Sequence, residues 1–141
     1  MESLRLSFTV AGETATMRSR AADLLAGLPA DGVHDVLLVI TELVDNVVEH
    51  TDSGGELHLS RADRVVRVEV HDHSRQFPQL QRSDPRRPGG RGLLLVAALA
   101  DAWGSRPTAT GKFVWACLGG PSHAGSPPAT FLEDCAYPLS R

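Results

Sequence analysis

The pattern of apolar and polar residues predicts five β-strands in this chain, three of them from a clear alternation. At the start, Leu4, Leu6, Phe8 and Val10 alternate with polar residues, which is typical of a strand with one buried face. The same period of two returns in residues 56–62 and 64–71, and residues 103–107 and 112–118 are predicted as two further strands. The middle two segments are separated only by Asp63, and they therefore predict a hairpin. The last two segments form a closing strand pair around the turn at residues 108–111.

A longer period, of three to four residues, predicts three helices. They cover residues 13–28, 33–50 and 93–102, and the first of them is stopped by Pro29, Asp31 and Gly32. Taken with the strands, the order is strand, helix, helix, strand, strand, helix, strand, strand. Helices grouped against a largely antiparallel sheet make a two-layer α/β sandwich. We therefore expect an α+β fold with its helices on one face of a mostly antiparallel sheet.

Two segments show neither period. Residues 74–91 are rich in Pro, Gly, Ser and Arg, and so long an irregular segment inside a compact domain is usually a lid or a linker. Residues 119–141 are rich in Pro, Gly and Ser, and we expect a mostly flexible tail. The prediction is a single domain over residues 1–118 that carries a lid, followed by the tail.

Composition narrows the class of protein. A chain of 141 residues has the usual size of one globular domain, and its net charge of −3 argues against bulk nucleic-acid binding. No apolar run approaches the roughly 18 residues of a membrane helix, and the first residues do not resemble a signal peptide. The two cysteines, Cys117 and Cys135, make no disulfide framework. We expect a cytoplasmic protein.

The helix predicted over residues 33–50 carries an unusual set of polar residues. Glu42 and Asn46 lie one turn apart, with Asp45 and Glu49 beside them, on a helix otherwise rich in Val, Leu and Ile. Buried polar groups are costly unless something pairs with them, and a bound metal–phosphate would supply a partner. The alternative is a solvated helix face with incidental polar residues.

Two further segments could complete a site. Asp72 follows an apolar strand, and a carboxylate there can accept a hydrogen bond from an exocyclic amine. The glycine-rich turn of residues 89–92 opens the helix at Leu93, where backbone N–H groups can bind an anion, although it could equally be a plain flexible loop. His58, His71 and His73 superficially suggest a metal, but ordinary polar histidines are the better interpretation.

The three segments, in this order and spacing, resemble the GHKL (Bergerat-fold) ATPases. The resemblance covers roughly residues 4–118 and rests on three motifs: Glu-x-x-x-Asn on a helix, Asp after a strand, and Gly-Arg-Gly-Leu-Leu-Leu opening the next helix. Within that superfamily, the length of the chain and the sequence motif around Glu42 are most similar to those of the anti-sigma-factor serine kinases.

The resemblance implies a role for each matching residue. It implies that Asn46 coordinates Mg²⁺, that Glu42 is the catalytic base and that Asp72 binds the adenine amine of ATP. The phosphates would be held by Gly90, Arg91, Gly92 and Leu93. Members of that family phosphorylate a serine of a STAS-domain anti-anti-sigma partner, otherwise bind a sigma factor, and are usually homodimers. It implies no contact with nucleic acid or a membrane.

Two positions depart from the family pattern. Ser74 stands where many relatives have a glycine, and Phe113 stands where many have a threonine after Gly-Lys. Both favour an alternative function, a non-catalytic ATP-binding module that holds a sigma or STAS partner, while Glu42 favours the kinase. A plain ATP hydrolase lacks support because the additional domains of the large ATPases are absent. A Walker-type ATPase is excluded, since no Gly-x-x-x-x-Gly-Lys-Ser/Thr occurs.

Overall fold

The computed structural model describes residues 2–9, 13–50, 54–73 and 92–119, without the side chain of His50. The predicted lid, residues 74–91, lies outside the described residues, and so does the predicted tail beyond Gly119. The division into one domain, a lid and a tail therefore stays a prediction.

The five predicted strands form one antiparallel sheet, which confirms the fold class. They are β1 (Glu2–Phe8), β2 (Gly55–Ala62), β3 (Val65–Asp72), β4 (Ala102–Pro107) and β5 (Lys112–Leu118). Their order across the sheet is β1-β2-β3-β5-β4, and each neighbouring pair is antiparallel. The two hairpins, β2–β3 and β4–β5, are thus joined by the pairing of β3 with β5. This pairing brings the side chains at the end of β3 next to those at the start of β5.

The three helices are α1 (Thr14–Leu24), α2 (Ala30–His50) and α3 (Gly92–Leu99). Helix α1 ends four residues before the predicted boundary, and hydrogen-bonded turns cover the residues up to Leu28. Helix α3 is also shorter than predicted, because Ala102 already belongs to β4.

The start of α2 corrects one prediction. Asp31 and Gly32 were expected to stop the preceding helix, but they lie in the first turn of α2. The Pro29 carbonyl oxygen accepts a hydrogen bond from the Val33 amide (3.0 Å), which is the first hydrogen bond of the helical pattern in α2. Pro29 therefore lies directly at the start of α2, and no loop separates the two. The Asp31 carboxylate also interacts favourably with the positive end of the helix dipole.

The helices cover one face of the sheet, here called the inner face. Alternate residues of β1, β2, β3 and β5 project from this face into a single core, where α2 contributes one apolar stripe of buried residues: Val36, Val39, Ile40, Leu43, Val44 and Val47. The sheet contributes Phe8, Leu57, Leu59, Val66, Val68, Val70, Val114, Ala116 and Leu118. Burial of this apolar surface is the main force that holds α2 in place.

The opposite face, here called the open face, carries the other half of each strand. Its apolar residues form a second, small cluster in which Trp115 is 1% exposed, with Ala62, Val65 and Cys117 around it. Arg67 lies over the Trp115 ring, with its guanidinium carbon 5.1 Å from the ring centre.

Cys117 corrects a second prediction. It is buried, as expected of a core residue, but it is disulfide-bonded, whereas the cysteine count predicted no disulfide. The chain's other cysteine, Cys135, lies outside the described residues. The expectation failed because a small number of cysteines rules out a disulfide framework but not a single disulfide bond.

None of the helices in the described ranges is long and apolar enough to cross a membrane.

Candidate functional site

Helix α2 presents Glu42 and Asn46 at the edge of its apolar stripe. Leu43 and Val47, the residues directly after them, are buried against the sheet, while Glu42 and Asn46 are themselves half-buried. Each polar side chain therefore lies about 100° around the helix from a core residue, at the rim of the helix–sheet interface. This is a position where a side chain is fixed by its neighbours and still reaches a ligand.

The environment of Glu42 disfavours its ionised form. Burial raises the pKa of Glu42 above its ordinary value of 4.5, and the negative charges of Asp45 and Glu49 raise it further. Burial also raises the pKa of Asp45. Three carboxyl groups thus lie together on one side of the last two turns of α2, in a partly dry setting.

This arrangement fits a magnesium ion. Mg²⁺ prefers oxygen ligands, keeps several of its waters and is commonly bound through one or two protein groups together with phosphates. The Asn46 carboxamide offers a neutral oxygen, and the crowded negative charge of Glu42, Asp45 and Glu49 is the charge that a cation would relieve. Asn46 would hold the ion, which would supply charge neutralisation to bound phosphates.

Asp72 lies at the end of β3 in a buried ion pair that sequence reasoning missed. The Lys112 Nζ atom donates to both carboxylate oxygens of Asp72, at 3.0 and 2.9 Å. The two side chains are only 2% and 7% exposed. An ionised carboxylate has about four acceptor positions, so Asp72 can accept from Lys112 and from a ligand amine at once.

The strand register explains this pair. Asp72 is opposite Lys112 on β5 and opposite Gly55 on β2, so the last residue of β3 is flanked by the first residues of its two neighbours. Gly111 precedes Lys112, and a Cβ atom added there would lie 2.0 Å from the Asp72 carbonyl oxygen. Glycine is therefore required for β5 to begin this close to β3.

The third segment begins α3. Gly92 is the first residue of the helix, and Leu93 is buried in the core, so the Leu93 side chain anchors the helix start while the backbone N–H groups there are free of intrahelical acceptors. Gly90 and Arg91 lie outside the described residues. At Gly92 and Leu93 a phosphate could be bound by backbone N–H groups, whose position the buried Leu93 side chain fixes.

Helix α2 connects the three segments. It contacts both β3 and α3, so the strand that ends in Asp72 and the helix that begins at Gly92 pack against the helix that carries Glu42 and Asn46. The roles assigned to these seven residues from the resemblance stay predictions.

The position of Phe113 changes the meaning of one departure from the family pattern. Side chains alternate along a strand, so Phe113 and Lys112 project from opposite faces of β5. Phe113 stacks on His71 of the open face, with the ring centres 4.7 Å apart. Its aromatic ring is thus directed away from Asp72. Ser74, the other departure, lies outside the described residues.

Lys112 could have been found from the sequence. It is the single lysine among 14 basic residues and follows Gly111 at the start of the last strand. The sequence alone does not reveal the register of β5 against β3, which pairs Lys112 with Asp72 and not with another acidic residue.

Comparison with known proteins decides the family. The family model described as histidine kinase-like ATPase domain matches residues 6–118, which is most of the chain. The protein is a member of this family. The match runs from the last three residues of β1 to the end of β5 and includes all seven predicted site residues. Membership supports an ATP-binding, kinase-like domain of the GHKL type. A search of the curated proteins finds no match.

Replacing Lys112 by Met is predicted to destabilise the ATPase domain. The change leaves the buried Asp72 carboxylate without its opposite charge, which typically costs about 3 kcal/mol or more. Urea unfolding followed by circular dichroism measures the loss. Arg64→Met, in the exposed turn between β2 and β3, is the matched control, with an expected change within about 0.5 kcal/mol. Equal midpoints for both variants would show that the Asp72–Lys112 pair contributes nothing.

Replacing Glu42 by Gln is predicted to stabilise the ligand-free protein at neutral pH. Because the folded-state pKa of Glu42 is raised, the folded protein holds this proton more tightly than the unfolded chain, and ionisation at neutral pH destabilises the fold. We expect the melting temperature to rise by up to about 3 °C at pH 7–8.

The gain of Glu42→Gln should shrink as the pH falls through the raised pKa and vanish below the ordinary value of 4.5, where Glu42 is protonated in both the folded and the unfolded state. Differential scanning calorimetry across this pH range provides the measurement. A variant less stable than the parent at neutral pH would contradict the predicted sign.

Proposed function

We propose that the protein is an ATP- and Mg²⁺-dependent serine/threonine-protein kinase that acts as an anti-sigma factor. In this proposal it phosphorylates a serine of a STAS-domain anti-anti-sigma protein and binds a sigma factor when it is not so engaged. It acts in the cytoplasm as a homodimer. Family membership supports the ATP-binding part, and the resemblance of the motif around Glu42 supports the kinase and anti-sigma parts.

The observation that carries the kinase reading is the environment of Glu42. Burial and the neighbouring Asp45 and Glu49 raise its pKa, which makes the Glu42 carboxylate a stronger base than a free glutamate. A carboxylate that served only to fill a solvated helix face would gain nothing from this environment. Carboxyl groups whose pKa is shifted in this way, at a cost to the stability of the fold, are found most often at functional sites.

Each residue then has one task. Glu42 accepts the proton of the attacking serine hydroxyl, whose oxygen forms a bond to the γ-phosphorus of ATP as the bond to ADP breaks. Asn46 holds the magnesium ion. Asp72 accepts a hydrogen bond from the adenine amine while Lys112, which donates to both of its carboxylate oxygens, holds the side chain in place. Gly90, Arg91, Gly92 and Leu93 hold the phosphates at the start of α3.

The alternative is a binding module of the same fold that holds its partner without phosphoryl transfer. One observation favours it: both oxygens of Asp72 already accept from Lys112, so adenine must share an occupied carboxylate. Phe113 no longer argues for this alternative, since its ring stacks on the open face.

Asn46→Ala is predicted to weaken Mg·ATP binding, because it removes the proposed metal ligand. The affinity should fall by at least about 10–100-fold, the loss seen even for groups that only support a metal ligand. Isothermal titration calorimetry measures it. The matched control is Asp35→Ala, about three turns away on the same helix, which should bind like the parent. Unchanged affinity in Asn46→Ala would refute the site assignment.

Phosphoryl transfer separates the kinase from the binding module. The chain is incubated with γ-labelled ATP and the STAS-domain proteins encoded in the same genome, and we expect label on a serine of one of them. Glu42→Gln should still bind ATP but transfer about 10²–10⁴-fold more slowly, the usual contribution of a general base. A tight complex without label would leave the binding module as the function. Equal transfer by the parent and Glu42→Gln would remove Glu42 as the base.

A further inference from the structure

The open face of the sheet carries a polar cluster, made of Glu56, His58, Glu69 and His71. His58 on β2 is opposite Glu69 on β3, and Glu56 is opposite His71, so the four side chains project side by side from one face. The side chains of His58, Glu69 and His71 are 18%, 22% and 29% exposed. They are thus held by their surroundings and still open to solvent.

The donor atoms of this cluster lie close enough to share an ion. His71 Nε2 is 2.9 Å and His58 Nδ1 is 3.9 Å from the same Glu69 oxygen, Oε1, and the three donor atoms lie within 4.8 Å of one another. Ligands at about 2.1 Å from a tetrahedral zinc ion are about 3.4 Å apart. The distances of 2.9 and 3.9 Å fall on either side of this value, so side-chain rotations that move each donor by about half an ångström would bring these two pairs to the zinc geometry.

The side chains that hydrogen-bond to these donors resemble the outer shell of a metal site, in which a second group holds each ligand in place. Glu56 Oε1 bonds His58 Nε2, the nitrogen that is not directed at Glu69. Arg67 Nε donates to Glu69 Oε2 at 2.7 Å, which leaves Oε1 for the cluster. A histidine ligand whose second nitrogen is held by a carboxylate is the usual outer arrangement of zinc sites, where it fixes the ring and raises its basicity.

The cluster is also rigid and negatively charged at its centre. His58 stacks on His71 with the ring centres 4.1 Å apart, and His71 stacks in turn on Phe113. Burial alone would raise the pKa of Glu69, but hydrogen bonds from His71 and Arg67, together with their charges, outweigh it and lower the pKa to about 2.

We propose that His58 Nδ1, Glu69 Oε1 and His71 Nε2 bind one Zn²⁺ ion, with water as the fourth ligand. Two imidazoles and one carboxylate suit zinc, whereas Mg²⁺ and Ca²⁺ prefer sets of oxygen ligands. Binding displaces the proton that His71 shares with Glu69. The site lies on the face of the sheet opposite Asp72 and α2, so it does not depend on the proposed kinase function.

The test is a zinc titration of the full-length, tag-free chain after EDTA treatment and desalting. Isothermal titration calorimetry should show one Zn²⁺ per chain, and zinc should raise the melting temperature. Co²⁺ in place of Zn²⁺ should give the visible absorption of a four-coordinate ion.

Three variants locate the site. His58→Phe and His71→Phe keep an aromatic ring in the stack but remove the donor nitrogen, and each should weaken zinc binding by more than about 100-fold, beyond the effect of an outer-shell change. Glu56→Gln changes only the outer shell and should weaken it by about 10–100-fold. The control, His34→Ala, removes an exposed histidine of α2 and should bind like the parent.

The outcomes are distinct. Loss of binding in folded His58→Phe and His71→Phe, checked by circular dichroism, supports the site. Absence of zinc binding by the parent chain would overturn the proposal and leave a hydrogen-bonded histidine–glutamate cluster. Binding that survives in both Phe variants, or that is lost in His34→Ala, would place the zinc elsewhere and overturn it as well.

Discussion

The packing of α2 on the inner face of the sheet is the interaction on which the site depends. Val36, Val39, Ile40, Leu43 and Val44 are at most 2% exposed, so the rotation of the helix about its axis is fixed by the core. This rotation also determines where Glu42 and Asn46 lie, which is at the rim of the interface between α2 and the sheet. A helix turned by one residue would either bury both polar groups or release them into solvent. The hydrophobic effect is not directional, but by fixing the rotation of α2 it orients the Glu42 and Asn46 side chains, whose proposed roles depend on their orientation.

The sheet distributes its chemistry between two faces by the same kind of constraint. Successive residues of a strand point to opposite sides, so His71 and Asp72, neighbours in sequence, belong to different environments. Asp72 joins Lys112 at the inner edge, and His71 joins Glu69 on the open face. The same alternation on β5 separates Lys112 from Phe113. One hairpin partner, β3, therefore supplies an acceptor for the proposed nucleotide and a donor for the proposed zinc ion, with the sheet itself as the partition between them.

The sequence predicted the elements of this fold better than the contacts between them. The strands could be predicted because half-buried strands impose a period of two, and α2 because its apolar stripe repeats every three to four residues. Contacts that depend on strand register could not be derived in this way. The Asp72–Lys112 pair joins residues 40 positions apart, and it exists only because β5 pairs with β3 in one register. The cluster around Glu69 has the same origin, since nothing local in the sequence indicates which residues will be neighbours across the sheet.

The candidate site was predictable for a different reason. Glu42 and Asn46 conflict with the apolar pattern of their own helix, and such conflicts between local pattern and local chemistry are expected where function outweighs stability. The His58–Glu69–His71 cluster shows no such conflict, because polar residues on the open face of an antiparallel sheet are the normal pattern. Its candidacy rests on geometry: three donor atoms converge, and each of two ligands is held from behind by a second group. A site of this kind becomes visible only when the strands are placed in register, which the sequence alone does not reveal.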